Sequence, residues 1–401
     1  MTTHERHSDK LPLGALLALA MTGFICIVTE TLPAGLLPQI SSGLDVSPSL
    51  AGQMVTVYAL GSLLAAIPLT IATQSWRRRT VLLMTIVGFL LFNSITAWSS
   101  NYELTLVARF FAGVSAGLAW SLIAGYARRM VVPRLQGRAL AVAMIGTPIA
   151  LSLGVPLGTW LGGFMGWRMA FGLMSGMTLV LIVWVLIKVP DYPGHSSSQR
   201  MALRVVFSTP GVRPVLGVVF TWMLAHNILY TYVAPFVSKA GLANDVDLVL
   251  LAFGVAALVG IWATGRLVED HLRRTVLVSL ATFAAVAVFL GVFSASALAI
   301  YVGVAIWGLT FGGAATLLQT ALADSAGRGA DVALSMNVVV WNSAIAGGGL
   351  LGGVLLGHWG VSCFPWVLLV LVLISLGIAA QARVHGFVGG TRASGQTVSG
   401  H

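Results

Sequence analysis

The chain has 401 residues, 57% of them hydrophobic and 8% charged, with a formal net charge of +10. Soluble globular domains carry roughly 25% charged residues, so two or three soluble domains are excluded and a polytopic membrane protein is indicated. Many apolar runs reach the length of about 20 residues that a helix needs to cross a hydrocarbon core, and the alternation of a membrane β-barrel, in segments of about ten residues, is absent.

In chain order, apolar runs between charged or turn-rich breaks predict twelve spans, numbered 1 to 12: 13–38, 49–73, 80–98, 103–126, 139–164, 168–188, 213–237, 247–267, 275–294, 297–322, 332–357 and 361–382. Span 1 ends in Glu-Thr-Leu-Pro without a small-residue cleavage site and reads as an uncleaved first helix. With the N-terminus in the cytoplasm, 19 of the 22 basic residues fall on the cytoplasmic side, among them Arg6, Arg134, Arg200 and Arg392; Arg109, Arg168 and Lys239 do not. That asymmetry is the positive-inside pattern. The positive charge is therefore topogenic rather than a nucleic-acid footprint. Cys26 and Cys363 both fall within spans and form neither a disulfide framework nor a metal cluster.

The organisation expected is a cytoplasmic tail (1–12), a six-helix bundle (13–188), a cytoplasmic linker (189–212), a second six-helix bundle (213–382) and a cytoplasmic tail (383–401). A shift of 195 residues aligns the halves: RRTVL at 78–82 meets RRTVL at 273–277, Gly113 and Gly117 meet Gly308 and Gly312, and Gly154, Gly158 and Gly162 meet Gly349, Gly353 and Gly357. A six-span period keeps both copies in the same membrane orientation. The fold class is thus an all-α membrane protein of twelve transmembrane helices, two six-helix bundles related by a parallel pseudo-two-fold repeat, as in transporters that rock two bundles about a midplane site.

Candidate chemistry lies in few places. Glu30, in VTETLPAGLLPQI, is the one carboxylate in the interior of a span; the other eleven acids lie in loops, tails or helix ends. Charge at membrane depth is costly and such residues face a bundle interior or a wet cavity, where a carboxyl group can take up and release a proton. The alternative is an end-of-helix position reaching the headgroups. Arg109, within RFFAGVSAG, keeps its proton and needs an anionic or carbonyl partner, or else snorkels to the surface. Span 5 reads GTPIALSLGVPLGTWLGG, and Pro148, Pro156, Gly154 and Gly158 predict a bent helix at an interface between halves. WRRR at 76–79 and GRLVEDHLRR at 265–274 are arginine-rich turns that can bridge helix ends as a cytoplasmic gate. His226, Tyr230, Thr316, Gln319, Asn337 and Trp341 offer uncharged polar or aromatic groups for a ligand with hydroxyls or a ring, with interhelical hydrogen bonding the alternative. Nucleotide-loop, HExxH and CxxC patterns are absent, so neither an enzyme nor an ATP-driven pump is expected, and no cofactor or metal.

TETLPAGLLPQI, RFFAGVSAG, GVPLGTWLGGFMGWRMAF and YTYVAPF together resemble the major facilitator superfamily, and within it the bacterial drug/proton antiporters, closest in look to the sugar, arabinose and purine-nucleoside efflux proteins with their chloramphenicol-resistance relatives. The resemblance covers about residues 12–383. It implies a bacterial inner-membrane protein, working as a monomer, that exports a small organic molecule in exchange for protons, with Glu30 and Arg109 in proton coupling and Gly154, Pro156 and Gly158 on the antiporter-motif helix. The family's loop pattern GxLaDRxGRR keeps Arg78 and Arg79 here but lacks its glycine and aspartate. The second copy keeps Gly265, Glu269, Arg273 and Arg274, so a latch is expected to rest more on the second half. Proton-coupled uptake on the same scaffold, and a membrane sensor that moves nothing, remain as alternatives.

Overall fold

The computed structural model describes residues 10–132, 135–194 and 203–389. Arg6, Arg134, Arg200 and Arg392 of the charge pattern, and the side chain of Glu269, lie outside the described residues. Among the described residues, 12 helices are long and apolar enough to cross a membrane: Leu13–Gly35, Pro48–Ala72, Arg78–Trp98, Tyr102–Arg129, Arg138–Met165, Trp167–Lys188, Val212–Thr231, Val246–Val268, Asp270–Val292, Ala297–Gly329, Val332–Trp359 and Val361–Gln381. They are the twelve spans expected, with shifted ends.

The shifts have backbone causes. Span 1 stops at Gly35, and a short helix, Leu37–Leu44, restarts with Pro38 in its first turn; Pro38 has no N–H with which to continue the ladder. Span 7 stops at Thr231 and resumes as Val233–Ser238, because Pro235 cannot donate to the Thr231 carbonyl. The segment between spans 8 and 9, expected as a loop, is helical apart from a kink at His271 (φ −134°, ψ 27°). Span 5 is broken by its own prolines: Pro148 follows the end of the first piece at Met144, and Pro156 follows a π-helical turn at Ala150–Gly154.

The repeat survives in the packing. A Cβ on Gly113 would strike the Tyr58 carbonyl and one on Gly117 the Ser62 carbonyl; on Gly308 and Gly312 it would strike the carbonyls of Phe253 and Ala257. Tyr58 and Phe253, like Ser62 and Ala257, are 195 residues apart. Spans 2 and 4 therefore touch backbone to backbone in the same register as spans 8 and 10, the close approach small residues permit where lipid supplies no hydrophobic drive between helices. The halves meet where span 2 packs on span 11 and span 5 on span 8, which the six-span period makes equivalent pairings. At the second of these, Gly254 lies against the main chain of Leu151 and Ser152.

We call the face carrying the loops after spans 1 and 7 distal, and that carrying residues 73–77 and 189–194 proximal. The halves are joined near the distal face: Ser49 Oγ donates to the Gly353 carbonyl (2.8 Å), Gln53 Nε2 to the Gly349 carbonyl (3.3 Å), and the Tyr232 hydroxyl, freed to turn by the span 7 break, reaches the carbonyls of Gly349 (2.7 Å) and Ser49 (3.3 Å). Toward the proximal face, Thr316 and Gln319 of span 10 are exposed.

Candidate functional site

The stretch TETLP builds the centre of the first half. Pro33 lies inside span 1 and leaves the Thr29 carbonyl without its helical N–H partner. Arg109 fills that place: Nη1 donates to the Thr29 carbonyl (2.7 Å), Nη2 to the Glu30 carbonyl (3.3 Å) and Nε to the Met54 carbonyl of span 2 (3.2 Å). The guanidinium also lies over the Tyr58 ring, 4.7 Å from its centroid, and Arg109 is fully buried at 0% exposure. It is neither snorkelling nor paired through these donors with a carboxylate; it ties spans 1, 2 and 4 through main-chain oxygens. The Tyr58 hydroxyl donates to the Cys26 carbonyl (2.9 Å), and Asn93 Nδ2 donates to Thr29 Oγ1 (3.0 Å), so the same segment of span 1 is held on three sides.

Glu30 is 7% exposed, and Tyr230 of span 7 lies within electrostatic reach of it across the interface between halves. Tyr230 continues into the second half: its ring is 5.2 Å from that of His226, which packs with Phe253 of span 8 and with Trp307 and Phe311 of span 10. The structure thus stacks Tyr230 on His226 and leaves Tyr230 within electrostatic reach of Glu30. Of the other predicted cavity residues, Trp341 packs on Val55, Ala59, Ile345 and Ala346 where spans 2 and 11 join, Asn337 is buried with Oδ1 unpartnered, and Gln319 is exposed.

The glycines of span 5 face span 1. A Cβ at Gly154 would strike Phe24 and Val28, and one at Gly158 would strike Leu32. Span 8 packs both on Leu151 and Ser152, inside the π-helical turn that precedes Pro156, and on the helical piece Val155–Met165 that follows. Gly154 and Gly158 thus form a socket for the helix that carries Glu30.

The arginine turns do different work in the two halves. Arg78 caps span 2: its Nη2 donates to the carbonyls of Thr73, Gln74 (2.7 Å) and Trp76 (3.1 Å). Its counterpart Arg273 caps span 12, donating to the carbonyls of Ala379 (2.9 Å), Ala380 (2.9 Å) and Phe387 (3.0 Å). Gly265 has open space around it and Arg274 is exposed. The acid missing from the first turn is supplied from elsewhere. Asp191, just beyond span 6, accepts from Arg77 Nε (2.5 Å) and from the Arg79 backbone N–H (3.2 Å), while the Arg78 N–H donates to the Tyr192 carbonyl (2.9 Å). The Tyr126 hydroxyl and Arg129 Nη1 bind the carbonyls of Pro190 (2.7 Å) and Pro193 (2.8 Å). The start of the linker is thereby strapped to the first half. Sequence reasoning read PDYPG only as a linker and did not find this contact.

Desolvation of Asp191 works to raise its pKa, but the hydrogen bonds from Arg77 and Arg79 and their charges outweigh it and hold the carboxyl below its usual range. With the folded value below the unfolded one, the strap's stabilisation is full above the usual carboxylate range and is lost as pH falls through the lowered value. Asp191→Asn is expected to raise amide exchange over 74–80 by up to about fivefold, the scale of an exposed ion pair. Wild-type protein should lose the same protection on acidification, and the variant should show no such step.

Comparison with known proteins places these features in a wider set. The family model described as Major Facilitator Superfamily matches residues 19–349. The chain is 30% identical over 385 residues, covering 92% of it and 94% of the relative, to "Purine ribonucleoside efflux pump NepI" of Escherichia coli. It is 27% identical over 363 residues, covering 90% of it and 91% of the relative, to "Probable sugar efflux transporter" of Mannheimia succiniciproducens. Among solved structures, the xylose transporter XylE from E. coli, in a partially occluded inward-open conformation, superposes with a TM-score of 0.73 at 14% identity, covering 93% of this chain and 99% of that one.

Proposed function

Since the chain belongs to the major facilitator superfamily and is a multi-pass membrane transporter, we propose that it exports a small organic molecule, a sugar, nucleoside or drug, in exchange for protons by alternating access. The observation that carries this reading is the placement of Glu30, a buried carboxylate within electrostatic reach of a tyrosine of the other half. A proton on Glu30 changes the charge near the seam between halves, so it favours whichever arrangement of the halves better accommodates the neutral acid. Substrate must prefer the other arrangement, because a ligand shifts an equilibrium only by its differential affinity for the two states. Arg109 keeps the Glu30 segment of span 1 fixed to spans 2 and 4, so that the charge change acts on the seam rather than on the helix's own packing.

In this reading the protein sits as a monomer in the bacterial inner membrane with both termini in the cytoplasm, as the placement of its basic residues supports. The closed distal face is then the outer one, and the form described is that from which substrate is loaded. The efflux transporters among its relatives agree with that direction.

The test is transport by purified protein in proteoliposomes, screened over sugars, nucleosides and cationic drugs with and without an imposed pH gradient. Export coupled to proton entry supports the proposal. Substrate and proton moving together in one direction would establish symport instead, and binding without flux would establish a sensor.

A further inference from the structure

The second half carries, where the first carries charge, a cluster of rings. At the 195-residue offset Tyr58 corresponds to Phe253, Arg109 to Val304, and Glu30 to Ala225, next to His226. His226 lies flat on Phe311, the ring centroids 3.5 Å apart and the planes 5° from parallel, with Trp307 at 5.1 Å, Tyr230 at 5.2 Å and Phe253 at 5.8 Å. Trp307 and Phe253 pack at 4.6 Å.

Two properties distinguish this cluster from an ordinary aromatic core. First, His226 Nδ1 and Trp307 Nε1 are both buried without a hydrogen-bond partner. A polar group buried without a partner is destabilising, and phenylalanine or leucine at these positions would fill similar space without that cost. Two unsatisfied groups in one stack call for a ligand that satisfies them in another state of the protein. Second, Phe311 is the one ring of the five that is only half-buried, and the first helical piece of span 10 ends directly after it, at Gly312. It sits at a break in its helix, free to leave the stack with little disturbance to the rest.

Phe311 therefore occupies the place a flat guest would take. An aromatic guest gains from offset or parallel stacking on such rings. The polar atoms of the cluster fit the edge of a nitrogen heterocycle: Trp307 Nε1 only donates, while the tyrosine hydroxyl and the imidazole nitrogen can each donate or accept. A sugar would also lie against an aromatic face, but its hydroxyls call for carboxamide or carboxylate pairs, and Glu30, the carboxylate within electrostatic reach of Tyr230, carries the proton in the export reading.

We propose that the transported molecule carries a planar nitrogen heterocycle of the nucleobase kind, which displaces Phe311 from His226 and takes hydrogen bonds from Trp307 Nε1, Tyr230 and His226. This rests on the export reading of the same central site and names its substrate class. Phe311 closes the empty site, and the ring of the substrate, rather than any sugar attached to it, supplies recognition.

Equilibrium binding to the purified full-length protein in detergent separates the possibilities, with adenosine, adenine, ribose and arabinose as probes. Adenosine and adenine should bind and compete with each other, and ribose and arabinose should not compete. Trp307→Phe, which keeps a ring but removes the donor, should weaken adenine binding roughly tenfold, the loss of one buried hydrogen bond. Phe311→Ala should bind adenine at least as tightly as wild type, since the resident ring no longer competes for the position. Folding of both variants is checked by monodispersity and helical circular dichroism, and the milder Trp307→Phe suffices if Phe311→Ala does not fold. Binding of arabinose or ribose without adenine, or adenine affinity indifferent to Trp307→Phe, overturns the inference while leaving export intact. Adenine binding without any proton-coupled flux overturns the export reading and leaves the ring site standing.

Discussion

Glu30→Gln is expected to yield a protein that still binds substrate but no longer concentrates it. With the membrane potential clamped, one proton exchanged per substrate across a gradient of about one pH unit sustains a concentration ratio of about tenfold, since 1.4 kcal/mol corresponds to tenfold in an equilibrium. Wild-type protein should approach that ratio, and Glu30→Gln should stay near equal concentrations on both sides. Glutamine keeps the shape and a hydrogen-bonding end but has no proton to exchange, so one-for-one substrate exchange across the membrane should persist. Glu30→Asp should retain coupling, because the titrating group moves by a single methylene. Accumulation by Glu30→Gln to the wild-type ratio would place the coupling group elsewhere.

The second large effect concerns Arg109. Lysine there keeps the charge and loses the fork that reaches Thr29, Glu30 and Met54 together. The Thr29 carbonyl then lacks a partner from either its helix or Arg109, at a cost of about 1–3 kcal/mol, and the thermal midpoint in detergent should fall by several degrees. The origin of that cost can be isolated. Pro33→Ala returns an N–H to the Thr29 carbonyl, so Arg109→Lys should be milder in the Pro33→Ala background than alone, by an interaction energy of about 1 kcal/mol. Additive effects of the two substitutions would show that the arginine acts through its charge rather than through the orphaned carbonyl.

These residues also show which parts of the molecule are legible in a sequence. The spans and their repeat are, because hydropathy and topogenic arginines are local and the 195-residue offset is a matter of counting. Helix ends are less so: the stops at Gly35 and Thr231 follow from Pro38 and Pro235, but a proline in a membrane helix can break it or be tolerated, and neighbouring helices decide which. Glu30 stands out by its isolation among apolar residues. The partners of Arg109 do not, although half of the answer is written in TETLP, since a proline frees the carbonyl four residues before it; that the donor comes from span 4 is a fact of packing.

Two contacts had no readable signal. Asp191 lies 114 residues from Arg77 in a stretch with linker composition, and the gap it fills is visible only as an acid missing from the first arginine turn. Trp307 and Phe311 are two of 12 tryptophans and 17 phenylalanines, unremarkable until the fold sets them against His226. His226 and Tyr230 were readable as polar intrusions one turn apart. Their surroundings give them a sharper meaning, since His226 Nδ1 and Trp307 Nε1 are left without partners inside one stack of rings. The repeat has kept its backbone contacts and divided its chemistry, with charge in one bundle and rings in the other.

The claim that most depends on Glu30 is that substrate and proton move in opposite directions through one site. It is tested by recording internal pH in weakly buffered proteoliposomes, loaded with adenosine, as the protein lets it run out down its gradient. The account predicts acidification of the interior by wild-type protein and none by Glu30→Gln; efflux of adenosine with the internal pH unchanged or rising in wild type would contradict it.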